Sequence, residues 1–449
     1  MKYIESKIEI CAVGGFSEIG KNMTAIKYGN EVVICDMGLF LPKIIGYVEA
    51  EQKKLSRERM IEIEAIPDDN IIEKWRHLVK AIVLGHSHLD HIGAAPFLAK
   101  HYNCDVIGTP YSIEILKEIL KDYTIKLPNK LVTMNVNSSV KVSENIKIEF
   151  LNMTHSTLQC AMVVIHTPLG AIVYANDYKF DNTPILGKKP NIARLKELGK
   201  TKKVLAVIVE SLYASQHVKT PSEKVAREML EEIMLETKNQ GNLVVVTTFA
   251  SHLARIKSIV DFGRKMGRKI IFMGRSLDKY VKAAERIKIV NFSKYVEISG
   301  YKKQTGKRLK YIEQNREKYL IVCTGHQGEP NSTLVRMASG EMGFKFRPGD
   351  QVIFASRVIP DPINVANRIQ LEELLDHQGV RVFCDVHTSG HASREDHRDL
   401  INMLKPRHII PAHADITKQT DVAELAIEMG YAIGKNIHMM SNGQKIELN

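Results

Sequence analysis

The run His86-Ser87-His88-Leu89-Asp90-His91 carries four metal-binding side chains within six residues. Imidazole and carboxylate are ligands that suit zinc, and a turn between a strand and a helix aims them at two adjacent sites instead of crowding them around one ion. His155, Asp177 and His413 are three further candidates, each placed just after a strand-like run. Singly, each would pass for a surface or cap residue; together they complete two metal shells. The chemistry of such a pair is hydrolysis by an activated water, which needs no serine or cysteine nucleophile.

The elements that must position these groups are short and β-rich. Runs at residues 32–36, 78–84, 146–151, 171–176 and 204–210 end in a polar or acidic residue, or enter a turn containing Gly, Asn or Asp. Strand ends of this kind present functional side chains along one edge of a sheet. A helix-like segment is expected from Ala94. From Thr220 the pattern changes: Thr220-Pro221-Ser222-Glu223 reads as a helix start with a capping residue, a proline in the first turn and a reciprocal glutamate. Val225, Met229 and Ile233, beside Ala226, Leu230 and Met234, recur at helical spacing and are expected in a core. Strand-like runs at 243–249, 269–273, 319–323 and 351–355 then alternate with helical stretches, as in a parallel α/β sheet. Runs at 380–384 and 408–410 are again followed by histidines, so the first domain is expected to resume. The expected division is 1–210 and 369–449 for one domain, with 211–368 inserted.

Bulk properties bound the class. A chain of 449 residues suits two domains, or one domain with a large insertion. With 44% hydrophobic and 25% charged residues and no apolar run long enough for a bilayer, it reads as soluble, with no membrane partner. The N-terminus, residues 1–10, alternates charged and apolar residues like an opening strand and shows no secretory signal, so a cytoplasmic location is expected. Cys11, Cys35, Cys104, Cys160, Cys323 and Cys384 are scattered singly and expected as buried free thiols. A net charge of +12 favours polyanionic partners. Aromatic residues are only 6%, so any base stacking falls to individual rings, for which Phe40, after Met37-Gly38-Leu39, is a candidate and a core position the alternative.

His86-x-His88-x-Asp90-His91, preceded by Asp36 and followed by His155 and Asp177, resembles the motif series of the metallo-β-lactamase superfamily. Glu210 at a strand end, His391 within His387-Thr388-Ser389-Gly390-His391-Ala392, and His413 within Pro411-Ala412-His413 resemble the three further motifs of the β-CASP nucleases. Gly14-Gly15-Phe16-Ser17-Glu18-Ile19-Gly20-Lys21-Asn22, Thr247-Thr248-Phe249-Ala250-Ser251, Gly274-Arg275-Ser276 and Thr324-Gly325-His326-Gln327-Gly328-Glu329-Pro330 are similar to RNase J in particular. The resemblance covers nearly the whole chain, in the archaeal form without the C-terminal domain of longer bacterial relatives. Residues 49–69 look like a charged insertion. The implied fold is α/β: an αββα sandwich interrupted by an inserted α/β β-CASP domain.

Roles follow from that resemblance. His86, His88 and His155 would hold one zinc, Asp90, His91 and His413 the other, and Asp177 would bridge them, with manganese as the alternative metal. Asp36 is expected to orient a ligand histidine. Glu210 would fix His391, which contacts the scissile phosphate or protonates the leaving group. Ser389-Gly390-His391-Ala392 reads as a phosphate pocket, because glycine admits backbone N–H groups close to an anion; a turn that merely positions His391 is the alternative. The implied activity is 5′-to-3′ exonuclease action on single-stranded, 5′-monophosphorylated RNA, with endonuclease activity beside it, by a homodimer. A small-molecule hydrolase would share the first motifs, but not the insertion and the late ones. A non-catalytic scaffold would be expected to lack ligands. DNA-processing relatives typically carry an apolar residue where this chain has His413.

Overall fold

The computed structural model describes residues 7–45, 47, 51, 54–239, 241–300 and 302–448, the side chains of 302–304 aside. Residues 1–6 of the expected opening strand, and part of the expected insertion from Glu49, lie outside the described residues. The chain divides into two compact units, one of Met1–Asn182, Lys188–Thr220 and Gly390–Asn449, the other of Thr183–Gly187 and Pro221–Ser389.

In the first unit, β1 (Ile8–Gly14), β2 (Met23–Tyr28), β3 (Glu31–Cys35), β4 (Val79–Leu84), β5 (Asp105–Gly108) and β6 (Leu131–Thr133) form one sheet. A second is formed by β7 (Ser139–Lys141), β8 (Lys147–Asn152), β9 (Ala161–Thr167), β10 (Gly170–Ala175) and β11 (Val204–Glu210). The second unit contains β12 (Val244–Thr247), β13 (Lys269–Met273), β14 (Val296–Ser299), β15 (Tyr319–Cys323), β16 (Gln351–Phe354) and β17 (Arg381–Phe383). The chain then returns to the first unit, where β18 (His408–Ala412) pairs parallel to β11 and β19 (Lys445–Leu448) antiparallel to β1. The two sheets run β19-β1-β2-β3-β4-β5-β6 and β18-β11-β10-β9-β8-β7.

The two-residue period of a strand explains how these sheets pack. Ile8, Ile10, Ile26, Val33, Ala81 and Val83 of the first sheet meet Ile148, Phe150, Val163, Ile165, Ile172 and Ile208 of the second in one core. The intervening residues Leu151, Val164, Val173, Val207 and Val209 face the other way, onto helices Ile192–Lys200, Arg394–Leu404 and Ile416–Glu428 through Leu195, Leu400 and Val422. Helix Pro110–Tyr123 covers β5 and β6. These are the helix, sheet, sheet and helix layers expected of the sequence. In the second unit all strand pairs are parallel, in the order β14-β13-β15-β12-β16-β17. Strands buried on both faces need no alternation, which is why β12 and β15 read as continuous apolar runs.

Five local expectations change. The run at 380–384, expected where the first domain resumes, is instead the edge strand β17 of the second unit's sheet, paired parallel to β16. The helix after Thr220 starts at Glu223 and is capped by Ser222, whose hydroxyl accepts the Lys224 N–H. Pro221 therefore precedes the cap. Thr220 Oγ1 instead donates to the His391 carbonyl at 2.7 Å and its N–H to Asp396 Oδ2 at 2.8 Å, and Glu223 forms a buried pair with Arg255. On this helix Ala226, Leu230 and Met234 are buried, while Val225 and Met229 are 41% and 37% exposed, because only one edge of the apolar stripe meets the sheet. Cys11, Cys35, Cys160 and Cys323 are buried free thiols, but Cys104 is half-buried and Cys384 exposed, the latter just past the short edge strand β17. Residues 54–69 are more than a charged insertion: Asp69 is fully buried, accepting from Tyr102 Oη at 2.9 Å and pairing with Arg57. Among the described residues no helix is long and apolar enough to cross a membrane.

Candidate metal centre

Neighbouring strands of both sheets deliver the candidate ligands from their ends. β3 ends at Cys35 and is followed by Asp36; β4 ends at Leu84, two residues before His86. Helix Leu89–Ile92 carries Asp90 and His91 on its single turn. From the second sheet, β8 precedes His155, β10 precedes Asp177, β11 ends in Glu210, and β18 is followed by His413. Asp36 and His413 have left-handed backbones, with φ of 61° and 55°. For a residue with a Cβ this costs of order 1–3 kcal/mol, a strain that concentrates at functional sites.

Two quartets result: His86, His88, His155 and Asp177, and Asp90, His91, His413 and Asp177, with one ligand atom from each residue lying within 4.8 Å of the others. The Asp177 carboxylate divides between them. Its Oδ2 lies 3.4 Å from Nε2 of both His86 and His155 and 3.3 Å from His91 Nε2, while Oδ1 is 3.6 Å from His413 Nε2. Asp90 Oδ2 lies 3.5 Å from His413 Nε2 and 3.6 Å from His91 Nε2.

Electrostatics fit the same use. Burial, reinforced by neighbouring imidazoles, lowers His86 and His155 and takes His88 to about 3 and His413 to about 4, so these rings are neutral at pH 7 and offer lone pairs. Burial pushes the Asp177 carboxyl up, but His91 and His413 outweigh it and hold it well below the usual range. Among the described residues, both ring nitrogens of His86 and Oδ1 of Asp177 are buried with no hydrogen-bond partner. Orphaned polar atoms cost about 1–3 kcal/mol each, a penalty that a cation coordinated by them would remove. Burial lowers His91, but Asp177, Asp90 and Asp36 outweigh it and raise the ring well above its ordinary value, so this one imidazole would give up a proton on taking a metal; the imidazole and carboxylate donors suit a divalent cation such as zinc or manganese.

A surrounding layer orients the ligands. His91 Nδ1 lies 2.7 Å from Asp36 Oδ2, and Asp36 is held by the Gly85 N–H at 2.9 Å and Tyr174 Oη at 3.0 Å. His155 Nδ1 donates to the Gly390 carbonyl at 2.7 Å, and His413 Nδ1 to Asn22 Oδ1 at 2.8 Å. Each contact fixes which nitrogen remains for a metal.

A third group, Asp177, Glu210 and His391, adjoins the quartets. Glu210 Oε2 lies 2.7 Å from His391 Nδ1, while its Oε1 accepts from Tyr178 N at 3.1 Å and Ala392 N at 3.3 Å. Burial lowers His391, but Glu210 and Asp177 outweigh it and raise the ring to about 9. Burial raises Glu210, with His391 opposing.

The remaining candidates separate. Gly390, His391 and Ala392 belong to the first unit, but His387, Thr388 and Ser389 to the second, where Thr388 Oγ1 donates to Glu223 Oε2 at 3.2 Å and burial takes His387 to about 2. A Cβ on Gly390 would lie 2.8 Å from Ser156, so this glycine is required by packing quite apart from any anion. Phe40 is half-buried; a Cβ at Gly20 would be 3.3 Å from its ring and 3.6 Å from Asp90, which places the ring at the edge of the centre. Sequence reasoning gave no role to Asn22, nor to Tyr178 and His397, whose buried Oη and Nδ1 are 2.9 Å apart. Their partners are far away in the chain, and only the presence of Asn22 in a quoted motif hinted at it.

Comparison with known proteins supplies an independent line. A family model described as ribonuclease J, β-CASP domain, matches residues 241–372. A Zn-dependent metallo-hydrolase RNA specificity domain matches residues 379–440, and the metallo-β-lactamase superfamily residues 79–211. The chain is 43% identical over 440 residues to a ribonuclease J of Methanocaldococcus jannaschii, covering 98% of both chains. It is 46% identical over 443 residues to one of Pyrococcus abyssi, covering 98% of this chain and 97% of that one. With a ribonuclease J of Thermus thermophilus identity is 32% over 440 residues, 95% of this chain and 71% of the other. A crystal structure of a protein of unknown function from Enterococcus faecalis V583 shares the fold, with a TM-score of 0.67 at 16% identity, covering 99% of this chain and 100% of that chain.

Proposed function

The chain belongs to the ribonuclease J family, and from that premise we propose that it is a metal-dependent ribonuclease acting 5′ to 3′ on single-stranded, 5′-monophosphorylated RNA. Endonucleolytic cleavage is a second activity, RNA decay or maturation the setting, and a cytoplasmic homodimer the working form. The observation that carries this reading is the pair of largely buried quartets sharing Asp177, with Glu210 and His391 alongside. The printed names of the relatives and a net charge of +12 support RNA as the polyanion.

His86, His88 and His155 would hold one zinc ion and Asp90, His91 and His413 the other, each with Asp177; manganese is the alternative. Bound there, two such ions supply Lewis acidity that makes water nucleophilic at neutral pH and offsets charge on phosphate oxygens. The protein's own part is orientation and proton management. Glu210 holds His391 through Nδ1, and the ring would donate from Nε2 to the scissile phosphate or to the leaving oxygen. The backbone amides of Tyr178 and Ala392 hold Glu210 in turn, so the acid is set in register with Asp177.

One RNA, labelled separately at each end and carrying either a 5′ monophosphate or a triphosphate, tests the reading. Expected is early release of the 5′ label as mononucleotide, faster from the monophosphate. Early release of the 3′ label, or no hydrolysis by protein supplied with zinc and manganese, would overturn it.

A further inference from the structure

Asn22 touches one metal quartet and not the other. Its Oδ1 accepts from His413 Nδ1 at 2.8 Å, its Nδ2 donates to the Asp90 carbonyl at 3.0 Å and lies 3.2 Å from His91 Nε2, and its backbone N–H donates to the same Asp90 carbonyl at 3.1 Å. Asp90, His91 and His413 are the three members of that quartet apart from Asp177. In the other quartet His155 is oriented by the Gly390 carbonyl, which Asn22 does not contact.

The chain around Asn22 is shaped to keep it there. Gly15, at φ 84°, passes so close to the Asn22 side chain that a Cβ would collide with it, and a Cβ on Gly38 would strike the Asp90 carbonyl. Asn442 clamps the loop from the C-terminal segment: its Oδ1 accepts from Phe16 N at 3.0 Å and its Nδ2 donates to Glu18 at 2.9 Å. Gln419 Nε2 donates to the Phe16 carbonyl at 2.6 Å. Asn22 is 4% exposed, so water does not compete for these bonds.

We infer that Asn22 is a positioning residue of the Asp90, His91 and His413 position, beside Asp36, and tunes the affinity of that ion without changing that of its neighbour. The inference rests on the reading that the centre binds two metal ions. By accepting from Nδ1 of His413, the amide leaves Nε2 as the lone pair facing the site; by donating to the Asp90 carbonyl, it fixes the turn that carries Asp90 and His91. Without it, His413 is free to rotate and to take the other tautomer. Partners of this kind typically change metal affinity about 10–100-fold.

The full chain, stripped with chelator, is titrated with zinc by calorimetry, with metal content checked by elemental analysis and folding by circular dichroism. Wild type should take up two equivalents. Asn22→Ala should bind one equivalent as wild type does and the other about 10–100-fold more weakly. Asn22→Asp keeps the acceptor for His413 but loses the Nδ2 donor to the Asp90 carbonyl, so one equivalent should shift severalfold while the other stays. Unchanged affinities in Asn22→Ala, or equal weakening of both equivalents, would overturn the inference. Should the alanine variant not fold, Asn22→Asp decides alone: both equivalents moving together, or neither, overturns it. Wild-type protein that binds no metal would instead refute the proposed function.

Discussion

Replacing Gly390 by alanine discriminates between two uses of the same loop. The new Cβ would lie 2.8 Å from the Ser156 side chain and 2.9 Å from its backbone nitrogen, and must open by about 0.6 Å to reach the 3.4 Å of ordinary van der Waals contact. Because the Ser156 Cβ and backbone nitrogen are struck as well as its Oγ, turning the hydroxyl does not relieve the contact. Ser156 adjoins His155, whose Nδ1 is bonded to the Gly390 carbonyl at 2.7 Å, so the displacement falls on a candidate ligand. Misplacement approaching 1 Å costs roughly 100-fold in rate, and loss of a ligand's orienting partner about 10–100-fold. Gly390→Ala is therefore expected to cleave about 10–100-fold more slowly on linear 5′-monophosphorylated RNA and on circular RNA alike. Initial rates on both substrates, with zinc content per chain, are the assay. Loss confined to the linear substrate, with circular cleavage and zinc content unchanged, would refute this reasoning and assign the glycine to recognition of the 5′ end.

His88→Ala or Asp177→Asn should lower cleavage by at least about 1,000-fold, the loss of several kcal/mol of charge stabilisation, while circular dichroism stays that of the wild type. Near wild-type activity in purified protein would rule out the two-metal centre. Glu210→Gln should retain full zinc content yet turn over about 100-fold more slowly, since it orients His391; one zinc lost would make Glu210 a ligand. Stability in acid should depend on Glu149. Burial raises its carboxyl, but His166 and Arg194 outweigh that and bring it to about 2 from an ordinary 4.5. A lowered folded value means stability present above pH 4.5 and lost as pH falls toward 2. Urea midpoints of Glu149→Gln should fall less steeply than wild type across that window, and parallel curves would exclude the contribution.

Legibility in the sequence followed the range of the interaction. The His86–His91 run is readable because four candidate ligands crowd six residues; Asp177 and Glu210 are readable because β10 is apolar throughout and β11 is apolar up to Glu210, and His155 because it follows soon after the Phe150-Leu151 end of β8. The four-layer fold follows from the same patterning. What Asn22 and Gly390 do is not readable: their partners are 391 and 235 residues distant, and neither residue type announces an orienting role. Thr220 misleads because threonine and serine cap helices alike, and only the folded chain shows that Thr220 has the His391 carbonyl as its partner. Val225 and Met229 mislead because helical spacing marks a stripe without saying how much of it is covered.

The parallel pairing of β11 with β18 also has a consequence in time. β11 ends at Glu210 and β18 at Ala412, so at synthesis rates of ~5–20 residues per second roughly 10–40 s separate the emergence of the two strands. During that interval β11 lacks its β18 partner, and for most of it neither His391 nor His413 has been made. A nascent chain already contains His86, His88, His155 and Asp177, but not the complete second quartet. The candidate ligand set is thus complete only once His413 has been made, and until then a growing chain lacks the full set with which to cut the message that encodes it.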